Sequence, residues 1–231
     1  MVFAMSRIAF ISDIHSNLTY LEKVLDKIDQ DNVDRIYCLG DMIGYYDKPN
    51  EVIDLIIKKN ISCIKGNHEK YILDVLNYNI ENENIYRIKK QKKIITKIHL
   101  EFLNNLPDNI QFSLCGKKFY LTHSLPNDCL AYLDDLKKLD KNFISQLDYY
   151  CYGHTHIPLI TYKYGACIIN PGSIGQPRDF SMKPSYAIVD VVNELSNLNK
   201  VNVDYKSYSE ILSNKNYSVK SINILKKYKN G

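Results

Sequence analysis

The sequence predicts an α/β protein of two sheets in a single domain, residues 1–231, the first sheet parallel and the second largely antiparallel. Three observations carry this. Apolar strand-like runs alternate with helix-like segments up to residue 66. Beyond Pro107 the pattern changes to paired strand runs around short turns. Polar side chains of one chemical kind close most of the strand runs.

The first run, Ile8, Ala9, Phe10 and Ile11, is continuous and apolar, as in a strand buried on both faces. Ser12, Asp13, Ile14 and His15 end it. Asn17 then caps a helix in which Leu18, Leu21, Val24, Leu25 and Ile28 fall at helical spacing. A second strand, 35–39, stops at Gly40 and Asp41. Pro49 suits the first turn of a helix reaching about Lys59, with Val52, Ile53, Ile56 and Ile57 inward. A third strand, 61–64, stops at Gly66, Asn67, His68 and Glu69. Right-handed crossovers make these strands parallel, and parallel sheets bind ligands beyond their carboxyl ends.

Residues 70–106 read as mostly helical. Their most basic stretch, 87–93, is expected to be the wet face of an amphipathic helix lying over Ile88, Ile94, Ile95 and Ile98. The functional alternative is a cationic flank for a nucleotide or other polyanion. His99 reads as structural. Residues 110–114 and 118–122 flank Cys115, Gly116 and Lys117 as a hairpin whose second arm delivers His123. A polar, helix-compatible stretch, 128–147, precedes the apolar run 149–152 and then Gly153, His154, Thr155 and His156. In an extended backbone, side chains at i and i+2 leave on one side, so the two imidazoles are expected side by side. A further hairpin, 160–164 with 166–169, runs into the turn of Asn170, Pro171, Gly172 and Ser173. Residues 186–192 and 201–205 read as the last strands, and 207–228 as one or two short helices.

Composition narrows the function classes. With 45% hydrophobic and 24% charged residues, the chain can bury a sizeable core. The net charge of +4 is too small to point to nucleic acid or a membrane surface, so stable nucleic-acid binding is not expected. The six cysteines form no Cys-x-x-Cys pair, and Cys38, Cys63 and Cys151 sit within apolar runs, as small buried hydrophobes of a reducing compartment. No signal peptide or membrane span is legible, which makes the cytoplasm the expected location and Met1 or Met5 the expected start.

The strand-end residues carry the chemistry: Asp13, His15, Asp41, Asn67, His123, His154 and His156. They are two carboxylates, one amide and four imidazoles, all oxygen or neutral nitrogen donors. Seven exceed what one tetrahedral ion needs, and suit two ions that share a carboxylate and leave positions open for water and substrate.

In this order the motifs resemble the calcineurin-like metallophosphoesterase superfamily. Its pattern of Asp-x-His, Gly-Asp, Gly-Asn-His-Glu, His and Gly-His-x-His is complete between Ser12 and His156. The stretches 39–45 and 170–178 resemble its small stand-alone bacterial and archaeal branch. The resemblance implies a two-sheet β-sandwich flanked by helices, four layers in the order αββα. It implies a first metal on Asp13, His15, Asp41 and His156, and a second on Asp41, Asn67, His123 and His154, with Asp41 as bridge. His68 matches the catalytic histidine, beside the metals without binding them. Mn, Fe, Zn, Co and Ni all suit such donors, and cellular supply selects among them.

The expected reaction is hydrolysis of a small phosphate ester, nucleotide-like substrates included, with phosphodiesters preferred. Two ions ~3.5–4 Å apart lower the pKa of a bridging water, and the resulting hydroxide attacks phosphorus. His68 protonates the leaving alkoxide. Asn67 and Arg178 are the expected substrate contacts, Arg178 gripping a phosphate oxygen unless it pairs with Asp179. Glu69 either orients His68 or serves as a helix-starting carboxylate. One alternative is a phosphomonoester or nucleotide phosphatase, although residues 40–46 lack the Asp and Arg of the Gly-Asp-x-x-Asp-Arg-Gly those branches carry. Another is a non-catalytic interaction module on the same fold, in which the ligands or the acid would be expected to erode. A homo-oligomer is compatible with either.

Overall fold

The computed structural model describes residues 6–133 and 136–224. The choice between Met1 and Met5 and the predicted helical residues 225–228 lie outside them. The chain runs β1 (Arg7–Ile11), α1 (Leu18–Gln30), β2 (Arg35–Cys38), α2 (Pro49–Lys58), β3 (Ser62–Cys63) and α3 (Asn67–Ile72). After it come α4 (Glu83–Tyr86), α5 (Ile88–Lys92), α6 (Lys97–Asn105), β4 (Asn109–Leu114), β5 (Lys117–Thr122) and α7 (Lys141–Ile144). The remainder is β6 (Tyr149–Cys151), β7 (Leu159–Lys163), β8 (Ala166–Asn170), β9 (Ser185–Asp190), β10 (Leu195–Lys200), α8 (Tyr205–Asn214) and α9 (Val219–Ile224).

These strands form two five-stranded sheets, ordered β10-β9-β1-β2-β3 and β4-β5-β6-β8-β7. Both are mixed. In the first, β1, β2 and β3 are parallel as predicted, but β9 runs antiparallel to β1 and β10 antiparallel to β9. In the second, predicted largely antiparallel, β5, β6 and β8 are parallel and only the outer pairs β4/β5 and β7/β8 are hairpins. Hairpin turns are local and legible. The pairing of β6 with β5 and β8 joins distant segments and is not.

Three cores follow from the layering. Ile8, Phe10, Leu39, Phe119, Cys151 and Val189 fill the space between the sheets. On the outer face of the first sheet, Ala9 and Ile11 meet Tyr20, Leu21, Val24, Leu25 and Ile28 of α1 and Val52, Ile53 and Ile56 of α2. On the outer face of the second, Tyr120, Tyr150 and Ile168 meet Leu133, Leu139 and Ile144 of α7. Each aliphatic side chain so buried contributes ~1.5–3 kcal/mol. The order of layers is helix, sheet, sheet, helix.

Asn17 caps α1 by accepting from Tyr20 N, and Pro49 opens α2. Elsewhere the helical expectations need correction. The region 70–106 is a series of short helices, broken where Arg87 adopts a left-handed conformation. Ile88 and Ile95 are buried, but Ile94 and Ile98 face solvent, because α5 ends at Lys92 and α6 begins at Lys97, which interrupts the single apolar stripe. His99 is structural, bridging Asn50 and Asp54 of α2. Of the stretch 128–147, the described residues are mostly turns, with α7 the one α-helix among them. The last strand is 195–200, not 201–205. Its Ser, Asn and Lys content hides a half-exposed edge strand, and Asp204 instead caps α8. No helix among the described residues is long and apolar enough to cross a membrane.

Candidate active site

Both sheets aim the carboxyl ends of their parallel strands at one place. Asp13 follows β1, Asp41 follows β2, Asn67 follows β3, His123 follows β5, and His154 and His156 follow β6. Backbone hydrogen bonds lace the loops together: Asp13 N donates to Gly40 O, His15 N to Asp41 O, and Gly153 N to His123 O. Asp13, His15, Asp41, His154 and His156 all adopt φ between 52° and 65°. Non-glycine residues rarely do so, at a cost of about 1–3 kcal/mol each, so backbone strain is concentrated among these residues.

The same fact corrects the reading of His154 and His156. They are not in extended backbone and do not point together. His156 joins Asp13 and His15, while His154 joins Asp41 and His123. His156 Nε2 is 3.2 Å from Asp13 Oδ1 and 3.1 Å from His15 Nε2. His123 Nε2 is 3.4 Å from Asp41 Oδ2 and 3.0 Å from Asn67 Oδ1. Asp41 Oδ2 lies between the two groups, 3.9 Å from His15 Nε2 and 3.9 Å from His68 Nε2. The two aspartates, His15, Asn67, His68, His123 and His156 are buried, and His154 is partly exposed.

Three imidazoles have their tautomer set from behind. Nδ1 donates to a backbone carbonyl in His15 (Ile43 O, 3.0 Å), His123 (Leu39 O, 2.7 Å) and His156 (Gln176 O, 2.9 Å). In His15 and His156 the Nε2 atom therefore turns a lone pair inward, whereas His123, facing the Asp41 carboxylate, must release a proton before its Nε2 can do so. Burial lowers the pKa of His15 and of His156, keeping both rings neutral. Two bare nitrogens thus face each other at 3.1 Å beside Asp13 Oδ1, a buried oxygen without a hydrogen-bond partner among the described residues. Converging lone pairs repel unless a cation lies among them, and the nitrogen and oxygen donors fit a divalent metal.

Burial alone would raise the pKa of both aspartates, but the facing histidines outweigh it and hold them ionised. Burial would lower His123, yet the Asp41 carboxylate pushes it up to about 9. His68 is held down at about 4, chiefly by burial. Its ring packs against Tyr45, Tyr86 and His15, and its Nδ1 is buried without a hydrogen-bond partner among the described residues. Gly44 makes room for it: a Cβ there, at φ +87°, would stand 2.1 Å from His68 Nδ1.

Glu69 does not touch the His68 ring. Its carboxylate accepts from the backbone N–H groups of Asp41 (2.8 Å), Met42 (2.8 Å), Ile43 (3.3 Å) and Gly66 (2.7 Å). It pins the loop carrying Asp41 to the start of α3. Glu69→Ala would leave four buried N–H groups without an acceptor. The expected loss, read by urea unfolding, is about 2–4 kcal/mol.

Arg178 donates its backbone N–H to His156 O, and its side chain lies beside Tyr132, to which it hydrogen-bonds, and Tyr45. Asp179 pairs with Lys200 and Ser181 instead. Tyr45 is packed between His15, His68 and Tyr86. The roles of three side chains escaped sequence reasoning. Gln91 holds the Asp41–α2 loop by accepting from Gly44 N and donating to Tyr46 O and Ser16 Oγ, and nothing in its lysine-rich surroundings announces this. Ser173 Oγ donates to Asp13 O, while Asn170 Nδ2 donates to Gly153 O and Thr155 Oγ1. Only their turn motif gave a signal.

Comparison with known proteins agrees with this architecture. The calcineurin-like phosphoesterase superfamily domain matches residues 6–194. The chain is 34% identical over 234 residues to an uncharacterised protein of Methanocaldococcus jannaschii, covering 91% of this chain and 93% of that one. A metallophosphoesterase structure from Sphaerobacter thermophilus is similar at 25% identity and TM-score 0.77, over 96% of this chain and 98% of that one. A hypothetical protein from Pyrococcus horikoshii OT3 shares the fold at TM-score 0.83 and 19% identity, over 95% and 97% of the two chains.

Proposed function

Because the chain belongs to the calcineurin-like phosphoesterase superfamily, and so to the hydrolases of phosphate esters, we propose that it is a dinuclear phosphodiesterase. The observation that supports two ions is that Asp13, His15 and His156 form one donor group and Asp41, His123 and His154 another, while a third group, His15, Asp41 and His68, overlaps both at His15 and Asp41. On this reading Asp13, His15, Asp41 and His156 hold one ion, and Asp41, Asn67, His123 and His154 the other. When bound, the ions would supply a hydroxide at neutral pH and positive charge facing the phosphoryl oxygens.

The chain's own residues do the rest. The backbone carbonyls behind His15, His123 and His156 hold the Nδ1 protons and aim the Nε2 atoms inward, and His123 would give up its Nε2 proton as an ion binds. Glu69 and Gln91 keep the Asp41 loop in place. His68, unligated in this scheme and neutral while the site is empty, takes up a proton once the anionic phosphate lies beside it and gives that proton to the leaving oxygen as the P–O bond breaks, while Asn67 and Arg178 orient the phosphate. The preference for diesters rests on the likeness of residues 39–45 and 170–178 to the small stand-alone branch, and residues 40–46, which lack the acidic and basic pair of the phosphatase branches, weigh against those.

The test is a panel of mono- and diesters assayed after chelation and reloading with Mn, Fe, Zn, Co or Ni. Diester turnover that needs two ions per chain supports the reading. Monoester turnover alone, or full activity with one ion, overturns it. Arg178→Ala is expected to raise KM roughly tenfold or more with little change in kcat, since a charge-assisted contact to phosphate is lost. Unchanged steady-state kinetics would assign Arg178 to Tyr132 and Tyr45 alone.

A further inference from the structure

The basic stretch 87–93 is not a uniform solvated face. Its Lys89, Lys92 and Lys93 line a cleft of about 510 Å³ together with Tyr71, Tyr78 and Ile88. The cleft lies next to the candidate acid. Tyr71 meets the His68 ring edge-on at 5.9 Å, and Tyr78 meets Tyr71 at 5.5 Å. One cleft carboxylate, Asp74, pairs with Lys92. Lys89 and Lys93 have no carboxylate partner among the described residues. Glu83 accepts from the Tyr78 hydroxyl and from Lys89 N, but no ion pair joins it to either ammonium among the described residues, and both lysines share the cleft with aromatic rings.

We propose that this cleft binds the leaving group of the substrate, and that this group carries a second phosphate. The inference rests on the phosphoesterase reading above, because it takes direction from His68. A group protonated by His68 departs on the His68 side, and the Tyr71 wall begins one ring away. The sugar or other apolar part of the leaving group lies against Tyr71, Tyr78 and Ile88. Its phosphate meets Lys89 and Lys93, two point charges that need no fixed geometry. Substrates with an uncharged leaving group are accepted, but more weakly.

Two measurements test this. The first compares thymidylyl-(3′→5′)-thymidine with its 3′-phosphate, in which cleavage of the P–O5′ bond releases the nucleoside that carries the added charge, with the products identified to show which bond breaks. In the wild type the 3′-phosphate should lower KM about five- to tenfold, the scale of two partly exposed charge contacts. Lys89→Ala/Lys93→Ala should abolish that difference, and Lys89→Arg/Lys93→Arg should restore it. A wild type that does not distinguish the two compounds, or a double variant weakened equally on both, overturns the proposal.

The second uses the chelator-treated protein and follows inorganic tripolyphosphate binding by calorimetry. The alanine variant should bind about five- to tenfold more weakly, and affinity should fall with added salt. Binding insensitive to the two lysines overturns the cleft assignment. The two levels fail separately. A wild type unable to hydrolyse bis(p-nitrophenyl) phosphate with any metal removes the diesterase reading. Lysine-independent binding removes the cleft alone.

Discussion

Asp41→Asn is expected to remove bound metal and activity together. The Oδ2 atom of Asp41 is within 3.4 Å of His123 Nε2 and 3.9 Å of His15 Nε2, so one carboxylate borders both donor groups. The neighbouring histidines hold it ionised against its burial. Its other oxygen, Oδ1, accepts from His68 N at 2.9 Å, which fixes the rotamer. An amide keeps the shape but carries no charge, and at one of its two ends offers a donor where a cation needs an acceptor. Changes merely behind a metal ligand cost ~10–100-fold, so loss of a shared ligand should cost at least ~10²-fold in turnover. Elemental analysis after dialysis should show both ions reduced in parallel. Retention of two ions per chain would end the bridging assignment, and loss of one alone would place Asp41 on a single metal.

His68→Ala is expected to lower kcat by ~10²–10⁴-fold with metal content nearly unchanged, the range for loss of a general acid or base. Its Nε2 is as close to Asp41 Oδ2 as that of His15, but the support of its ring differs from that of the ligand histidines. Its backbone N–H binds Asp41, its ring is wedged among Tyr45, Tyr86 and His15, and no carbonyl orients its Nδ1. The three histidines with carbonyl-fixed Nδ1 atoms behave differently. Substrates with better leaving groups should be less affected, because they need less protonation. Equal loss of metal and turnover would move His68 into the ligand set, where it already lies near His15 and Asp41.

Much of the site was legible because its residues sit at interruptions of strong local patterns. Asp13, Asp41 and Asn67 each follow an apolar strand run, and the crossover rule places the ends of parallel strands on one edge. The pairing of β6 with β5 and β8 was not legible. It brings His123 and His154 to the same edge by burying Phe119, Cys151 and Ile169 against the first sheet, a contact between segments far apart in sequence. β10 was missed because an edge strand is held by backbone hydrogen bonds to β9, which leave no mark on side-chain hydrophobicity.

The sequence by itself determined which donors are present, where the strands that carry them begin and end, and that the first three strands are parallel. These depend on side-chain chemistry and on apolar periods of a few residues. Only the tertiary structure decided that His154 and His156 leave a left-handed backbone rather than lie side by side on a strand, that Glu69 anchors the Asp41 loop, and that three lysines share a cleft with Tyr71. Each of these depends on left-handed turns or on neighbours brought together across the sheets, and backbone geometry of that kind is chosen by the packed whole rather than by any local stretch.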